Sequence, residues 1–190
     1  STLLRRVPTF IKGVASDMRP APTAALIAYT LVSALSLAWY PEVHSDEVWL
    51  ASLTRAIVLE KDVAATEEFF ALTPRRPHAI KTLYHALQAP FVTVDFSHVA
   101  ARVPSAAAGL VALWAFYRVV RALGAGSGVA ALLAGVFALD PQVLYISHFA
   151  RQEAILLALY LTVVAILLSR RDAARGDGTP RRVLIAGALV

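Results

Sequence analysis

Long apolar runs separated by short polar stretches form the main pattern of this chain. Four runs are long or apolar enough to predict membrane-spanning helices, at about 22–40, 103–123, 128–146 and 154–169, and a fifth begins near Val183. Pro141 interrupts the third run and predicts a kink or an early exit there. The pattern therefore predicts an all-α fold, a polytopic membrane helical bundle.

The stretch at 41–102 is the longest interval between two runs, and it carries two amphipathic patterns. Apolar residues recur at helical spacing from Glu47 to Glu60, and they recur again in "HAIKTLYHALQAPFV", which follows a "TPRRP" breaker. Amphipathic helices of this kind lie along a membrane surface. We therefore predict a large first external loop that contains interfacial helices.

Composition supports residence in a membrane. Of 190 residues, 58% are hydrophobic and 16% are charged, and the mean hydropathy is +0.62. The absence of cysteine excludes disulfides, thiolate zinc sites and cysteine nucleophiles. The net charge of +5 does not indicate a nucleic-acid partner, because the basic residues adjoin apolar runs instead of gathering on one soluble surface.

Basic residues cluster in three places that alternate along the chain. They occur in the first 21 residues, at the end of the second run and in "SRRDAARGDGTPRR" after the fourth. By the positive-inside rule these regions face the cytoplasm, which places the N-terminus there and the 41–102 loop and residues 147–153 on the extracytoplasmic side. Since the run from Val183 continues for only eight residues, we expect the chain to be the N-terminal part of a longer multi-pass membrane protein.

Three carboxylates on the outer side are candidates for chemistry. Asp46 and Glu47 follow the first run closely, where Ser45 or Asp46 could cap the next helix, or one carboxylate could act as a general base. Glu153 stands where an apolar helix begins. It is either a first-turn carboxylate favoured by the helix dipole or a functional group at the membrane boundary.

Basic side chains on the same side could attract a phosphate or diphosphate at the interface. The alternative for each of them is snorkelling and membrane anchoring. Five histidines lie on this side without the spacing of a metal motif, which leaves a divalent metal open. The basic candidates are Arg75, Arg76, His78, Lys81, Arg102 and Arg151, of which Lys81 and Arg102 are preferred.

Taken together, these features resemble the GT-C superfamily of membrane glycosyltransferases, in particular its protein O-mannosyltransferase and aminoarabinose-transferase-like branch. The matching stretches are "DEVWLASLTRAIV", "RPHAIKTLYHALQAPFV", "AARVPSAAAGLVALWAFYRVVRALG" and "FALDPQVLYISHFARQEAILLALYLTVVAILL". Their order and spacing carry the resemblance, which covers about residues 22–169.

The resemblance implies transfer of a sugar, with inversion, from a polyprenyl-phosphate donor to an acceptor hydroxyl of a protein, lipid or polysaccharide. It implies that Asp46 is the base, with Glu47 beside it, and that Glu153 is the second acidic position. Relatives hold the donor phosphate with a "KPPL" or "HPPL" element, whereas this chain has "RPHAIKTL", in which His78 and Lys81 are the candidates.

A different class of function stays open. The chain could be a transporter, in which the carboxylates take part in gating or ion coupling. It could also be another non-catalytic multi-pass protein, including a degenerate relative of the glycosyltransferases. A transporter predicts acidic residues within the spans and inverted repeats. Apart from Asp140, the acidic residues lie at the ends of the runs or in loops.

Overall fold

The computed structural model describes residues 20–62 and 81–175, and within them it is all-helical. The seven helices of these residues are α1 (Pro20–Ser36), α2 (Ser45–Leu59), α3 (Thr82–Val92), α4 (His98–Ala122), α5 (Ser127–Ala138), α6 (Pro141–His148) and α7 (Glu153–Arg175). The predicted all-α class is confirmed for this part of the chain.

Helices α4 and α7 pack along each other more extensively than any other pair. They run in the same direction, as contacts at both ends show. The Ser105 hydroxyl near the start of α4 donates to the Arg151 carbonyl just before α7 (2.9 Å). Near their other ends, Arg118 and Ile166 line one groove. The first residues of both helices therefore lie at one end of the bundle.

Helix α1 is attached to the bundle by apolar packing and by polar contacts. The Tyr29 hydroxyl donates to the Ala106 carbonyl of α4 (3.2 Å). It lies so close to α4 that a Cβ on Gly109 would overlap it. The buried ring of His148, at the end of α6, lies with Nε2 2.8 Å from the Ser33 hydroxyl. These contacts position the end of α1 beside the α6–α7 connection.

The third apolar run contains a sharp bend. Helices α5 and α6 meet at 60°. Asp140 caps α6, because its Oδ1 accepts from the backbone N–H groups of Gln142 (2.8 Å) and Val143 (3.1 Å), and Pro141 occupies the first turn. The kink predicted at Pro141 is confirmed.

Two of the described helices, α4 and the Glu153–Arg170 part of α7, are long and apolar enough to cross a membrane, and the bent α5–α6 pair makes up to three. The expected first span is shorter than predicted, since its apolar helix ends at Ser36. These helices support a membrane protein. The fifth run, from Val183, lies outside the described residues.

Candidate functional site

Glu47 and Arg102 form a buried ion pair where α2 and α4 begin. The Arg102 guanidinium donates from Nε to Glu47 Oε1 (2.9 Å) and from Nη2 to Oε2 (2.7 Å). The Arg102 side chain is 0% exposed and the Glu47 side chain is 2% exposed. Because both oxygens are engaged by one planar fork, the pair fixes orientation as well as distance.

The same two side chains tie several loops to the bundle. Glu47 Oε1 also accepts from the backbone N–H of Ala150 (2.7 Å), in the α6–α7 connection. Arg102 donates to the carbonyls of Leu37 (2.9 Å) and Pro41 (2.9 Å), beyond the end of α1. Glu47 and Arg102 thus join α2 and α4 to the two connections, and the catalytic and phosphate-binding roles expected for them stay predictions.

The start of α2 is capped differently from the prediction. His44 is the N-cap residue, and its Nδ1 accepts from the Asp46 backbone N–H (3.2 Å). The Glu47 carboxylate reaches back to the backbone N–H of His44 (3.2 Å) and completes a capping box. The prediction that Ser45 or Asp46 caps the helix is wrong, and the Asp46 carboxylate is therefore available for other contacts.

Asp46 and Glu153 lie on either side of Arg151. The Arg151 Nη1 atom is 3.3 Å from Asp46 Oδ2, and its Nε atom is 3.2 Å from Glu153 Oε1. The three side chains are partly exposed, at 47% for Asp46, 32% for Arg151 and 39% for Glu153. Two carboxylates that are distant in sequence thus share one guanidinium at a solvent-accessible position.

Lys81 belongs to the same cluster. Burial, followed by the positive charge of Arg151, lowers the pKa of Lys81, while the negative charges of Glu153 and Asp46 oppose that shift. We call Asp46, Lys81, Arg151 and Glu153 the Arg151 cluster. The other candidate from the same stretch, His78, lies outside the described residues.

An aromatic cavity of about 170 Å³ adjoins the Arg151 cluster. The rings of Tyr145 and Phe149 stack with centroids 5.5 Å apart and planes inclined by 20°. The Arg151 guanidinium lies 5.6 Å from the Phe149 ring centroid, and His44 and Glu153 also line the cavity. Sequence reasoning missed the two aromatic residues, because Tyr145 near the end of α6 and Phe149 just after it lie at the end of an apolar run, where aromatic residues are common.

Four buried polar atoms have no hydrogen-bond partner in the described part of the chain. They are Nε1 of Trp49, Nε of Arg151, Oε1 of Gln152 and Oε2 of Glu153. Arg151 Nε is close to Glu153 but does not align for a hydrogen bond. Buried polar groups are normally paired, and of these four residues Arg151 and Glu153 line the aromatic cavity, where a polar ligand could pair with them.

A buried polar network holds α3 against α2. The Thr54 hydroxyl lies 2.7 Å from His85 Nδ1 and 2.5 Å from Gln88 Oε1. The Gln88 amide donates to the Tyr84 hydroxyl (2.8 Å) and to the Ala101 carbonyl (3.2 Å). Burial lowers the pKa of His85 and raises the pKa of Tyr84, so both groups stay neutral near pH 7.

The described residues do not offer a ligand set for a divalent metal, since no three His, Asp or Glu side chains converge among them. The positive charge between Asp46 and Glu153 comes from Arg151. Comparisons of the chain with protein-family models, with curated proteins and with solved structures found no match.

Proposed function

We propose that this chain is part of a membrane glycosyltransferase that moves a sugar from a polyprenyl-phosphate donor to an acceptor hydroxyl at the extracytoplasmic face. One observation carries the proposal. Asp46 and Glu153 meet at Arg151 beside an aromatic cavity, at one end of a bundle in which two or three of the described helices are long and apolar enough to cross a membrane. Such a place is accessible to a lipid-linked donor from the bilayer and to an acceptor from water.

Asp46 is the general base in this proposal. Its carboxylate is about half exposed and takes no part in capping, so it can accept the proton of an acceptor hydroxyl. The hydroxyl oxygen then forms a bond to the anomeric carbon while the bond from that carbon to the phosphate oxygen breaks. The leaving group departs as a polyprenyl phosphate, the proton remains on Asp46, and the anomeric configuration inverts.

The cations of the cluster act on the donor. Lys81 and Arg151 place two positive charges where negative charge develops on the departing phosphate, which is the usual way to lower the barrier for such a step. Arg151 also holds Asp46 and Glu153 in fixed positions. Because Lys81 and Arg151 repel each other, an anion between them would be favoured.

The aromatic cavity suits a single sugar ring. Its volume is below the range of about 300–1,000 Å³ that is typical for pockets of drug-sized ligands. The Tyr145 and Phe149 rings offer an apolar surface, and the unpaired Oε2 of Glu153 can accept a bond from a sugar hydroxyl. Glu153 is therefore proposed to orient the sugar, with Asp46 acting on the acceptor.

The test is transfer by the full-length protein, reconstituted in lipid, from a panel of polyprenyl-phosphate sugars, with products detected by mass spectrometry. We expect transfer from at least one donor, none from nucleotide sugars, and a large loss in Glu153→Gln. The matched control is Glu42→Gln, an exposed carboxylate in the loop before α2. A folded wild-type chain that transfers no sugar would contradict the proposal and favour a transporter or a degenerate relative.

A further inference from the structure

A second cavity lies between α4 and α7 at the end of the bundle opposite the Arg151 cluster. It measures about 420 Å³, and most of its wall is apolar. Trp114, Ala165 and Ile166 form part of that wall. Arg118, Ser169 and Arg170 line it towards the ends of the two helices. We call this cavity the α4–α7 groove.

The polar end of the groove is arranged for an anion. The Arg118 guanidinium lies over the Trp114 ring, 5.5 Å from its centroid. The Ser169 hydroxyl donates to the Ala165 carbonyl (2.8 Å), which leaves its oxygen free to accept only, so the two guanidinium groups are the donors to an anion. Arg118 makes a further contact, and the inference requires only that its charge borders the groove.

The charge around this end is strongly positive. Three arginines with described side chains lie at this end, namely Arg118, Arg121 and Arg170. Arginine binds phosphate with two parallel N–H donors, which favours it over lysine for this purpose. The end of the α4–α7 pair therefore attracts phosphate groups from its surroundings.

We propose that the α4–α7 groove binds one anionic phospholipid of the leaflet that surrounds this end of the bundle. Its phosphate lies between Arg118 and Arg170, and one acyl chain lies along Trp114, Ala165 and Ile166. Both helices that form the groove are apolar enough to cross a membrane, so its wall faces a compartment that contains lipid. A soluble anion would leave that apolar wall uncovered. This binding does not depend on the proposed transferase activity.

The experiment measures lipid binding to the full chain by native mass spectrometry, with phosphatidylglycerol and phosphatidylcholine as probes. The wild type is expected to prefer phosphatidylglycerol. Each of Arg118→Gln and Arg170→Gln is expected to reduce that preference about five-fold, the usual contribution of one basic residue at an anionic surface. Arg170→Lys retains the charge and is expected to keep most of the preference for phosphatidylglycerol. Inorganic phosphate is expected not to compete with the lipid.

The matched control is Arg121→Gln, an exposed arginine at the same end of α4 that does not line the groove. This variant is expected to keep the wild-type preference. An equal reduction in Arg121→Gln would overturn the inference, because the attraction would then be a property of the whole basic end. Full preference in the Arg118→Gln/Arg170→Gln double variant, together with a lower melting temperature, would also overturn it and assign the groove to another segment of the chain.

Discussion

The Glu47 carboxylate and the Arg102 guanidinium are 55 residues apart and form two buried hydrogen bonds of 2.9 and 2.7 Å. This pair joins the start of α2 to the start of α4, and Glu47 also binds the backbone N–H of Ala150. The Arg151 cluster depends on the same junction, since Asp46 precedes Glu47 and Arg151 follows Ala150 directly. The buried pair thus determines where the proposed catalytic groups lie.

Loss of one partner of this pair is expected to be costly. Glu47→Leu or Arg102→Met leaves a buried charge without its partner, and each change should lower the free energy of unfolding by about 3–5 kcal/mol. The double variant Glu47→Leu/Arg102→Met should lose clearly less than the sum of the two, because no buried charge remains. Reversible unfolding in mixed micelles measures these values. Strictly additive losses would contradict a direct coupling.

The contact of Gly109 with Tyr29 predicts a second effect on stability. A Cβ at Gly109 would overlap the Tyr29 hydroxyl and crowd Ser147, so Gly109→Ala should lower the free energy of unfolding by about 1–3 kcal/mol. The matched control is Gly135→Ala in α5, where nothing lies near the added Cβ. That change should be neutral or stabilising by up to about 1 kcal/mol. Equal effects of the two substitutions would argue against close packing of α1 on α4.

His85 predicts a pH dependence of stability. Burial, followed by the charge of Lys81, lowers the pKa of His85 below its usual 6.5. The unfolded chain then takes up this proton at a higher pH than the folded chain does, so stability is full above about pH 6.5 and decreases as the pH falls below that value. In His85→Asn, which can still bond to Thr54, the melting temperature should fall less between about pH 7.5 and pH 5.5. An unchanged difference would show that His85 does not contribute.

Arg151 predicts an effect on turnover. Arg151→Gln removes the charge that lies between Asp46 and Glu153 and that is proposed to act on the leaving phosphate, so kcat should fall by about 10²- to 10³-fold. Arg151→Lys should retain part of the activity, since an ammonium group keeps the charge without the planar fork. The control is Arg55→Gln, an exposed arginine that lies over the Phe96 ring. Wild-type kcat in Arg151→Gln would exclude this role.

Parts of the fold and of the Arg151 cluster could be predicted from the sequence, because they depend on the spacing of residues along the chain. Helical periodicity predicts a helix from Glu47 to Glu60, and α2 spans Ser45–Leu59. Alternation of the apolar runs predicts that Asp46 and Glu153 lie on one side, and the structure brings both to Arg151. Which side of a membrane this is stays a prediction from charge.

Other parts could not be predicted, because they depend on contacts between distant segments. No spacing in the sequence indicates that Arg102 reaches Glu47, and an arginine at the end of an apolar run is equally consistent with snorkelling. Helix α1 ends at Ser36, earlier than its apolar run, and the Leu37 carbonyl beyond it accepts from Arg102. Tyr145 and Phe149 lie at the end of an apolar run, where aromatic residues are common in any membrane protein.

The proposed role of Asp46 is the central claim, and the rate of sugar transfer by Asp46→Asn tests it most directly. The amide retains the shape of the carboxylate but cannot accept the proton, so transfer should fall by about 10²- to 10⁴-fold while donor binding and melting temperature stay near wild type. The matched Glu42→Gln variant should transfer at the wild-type rate. A folded Asp46→Asn variant with unchanged transfer would contradict the account.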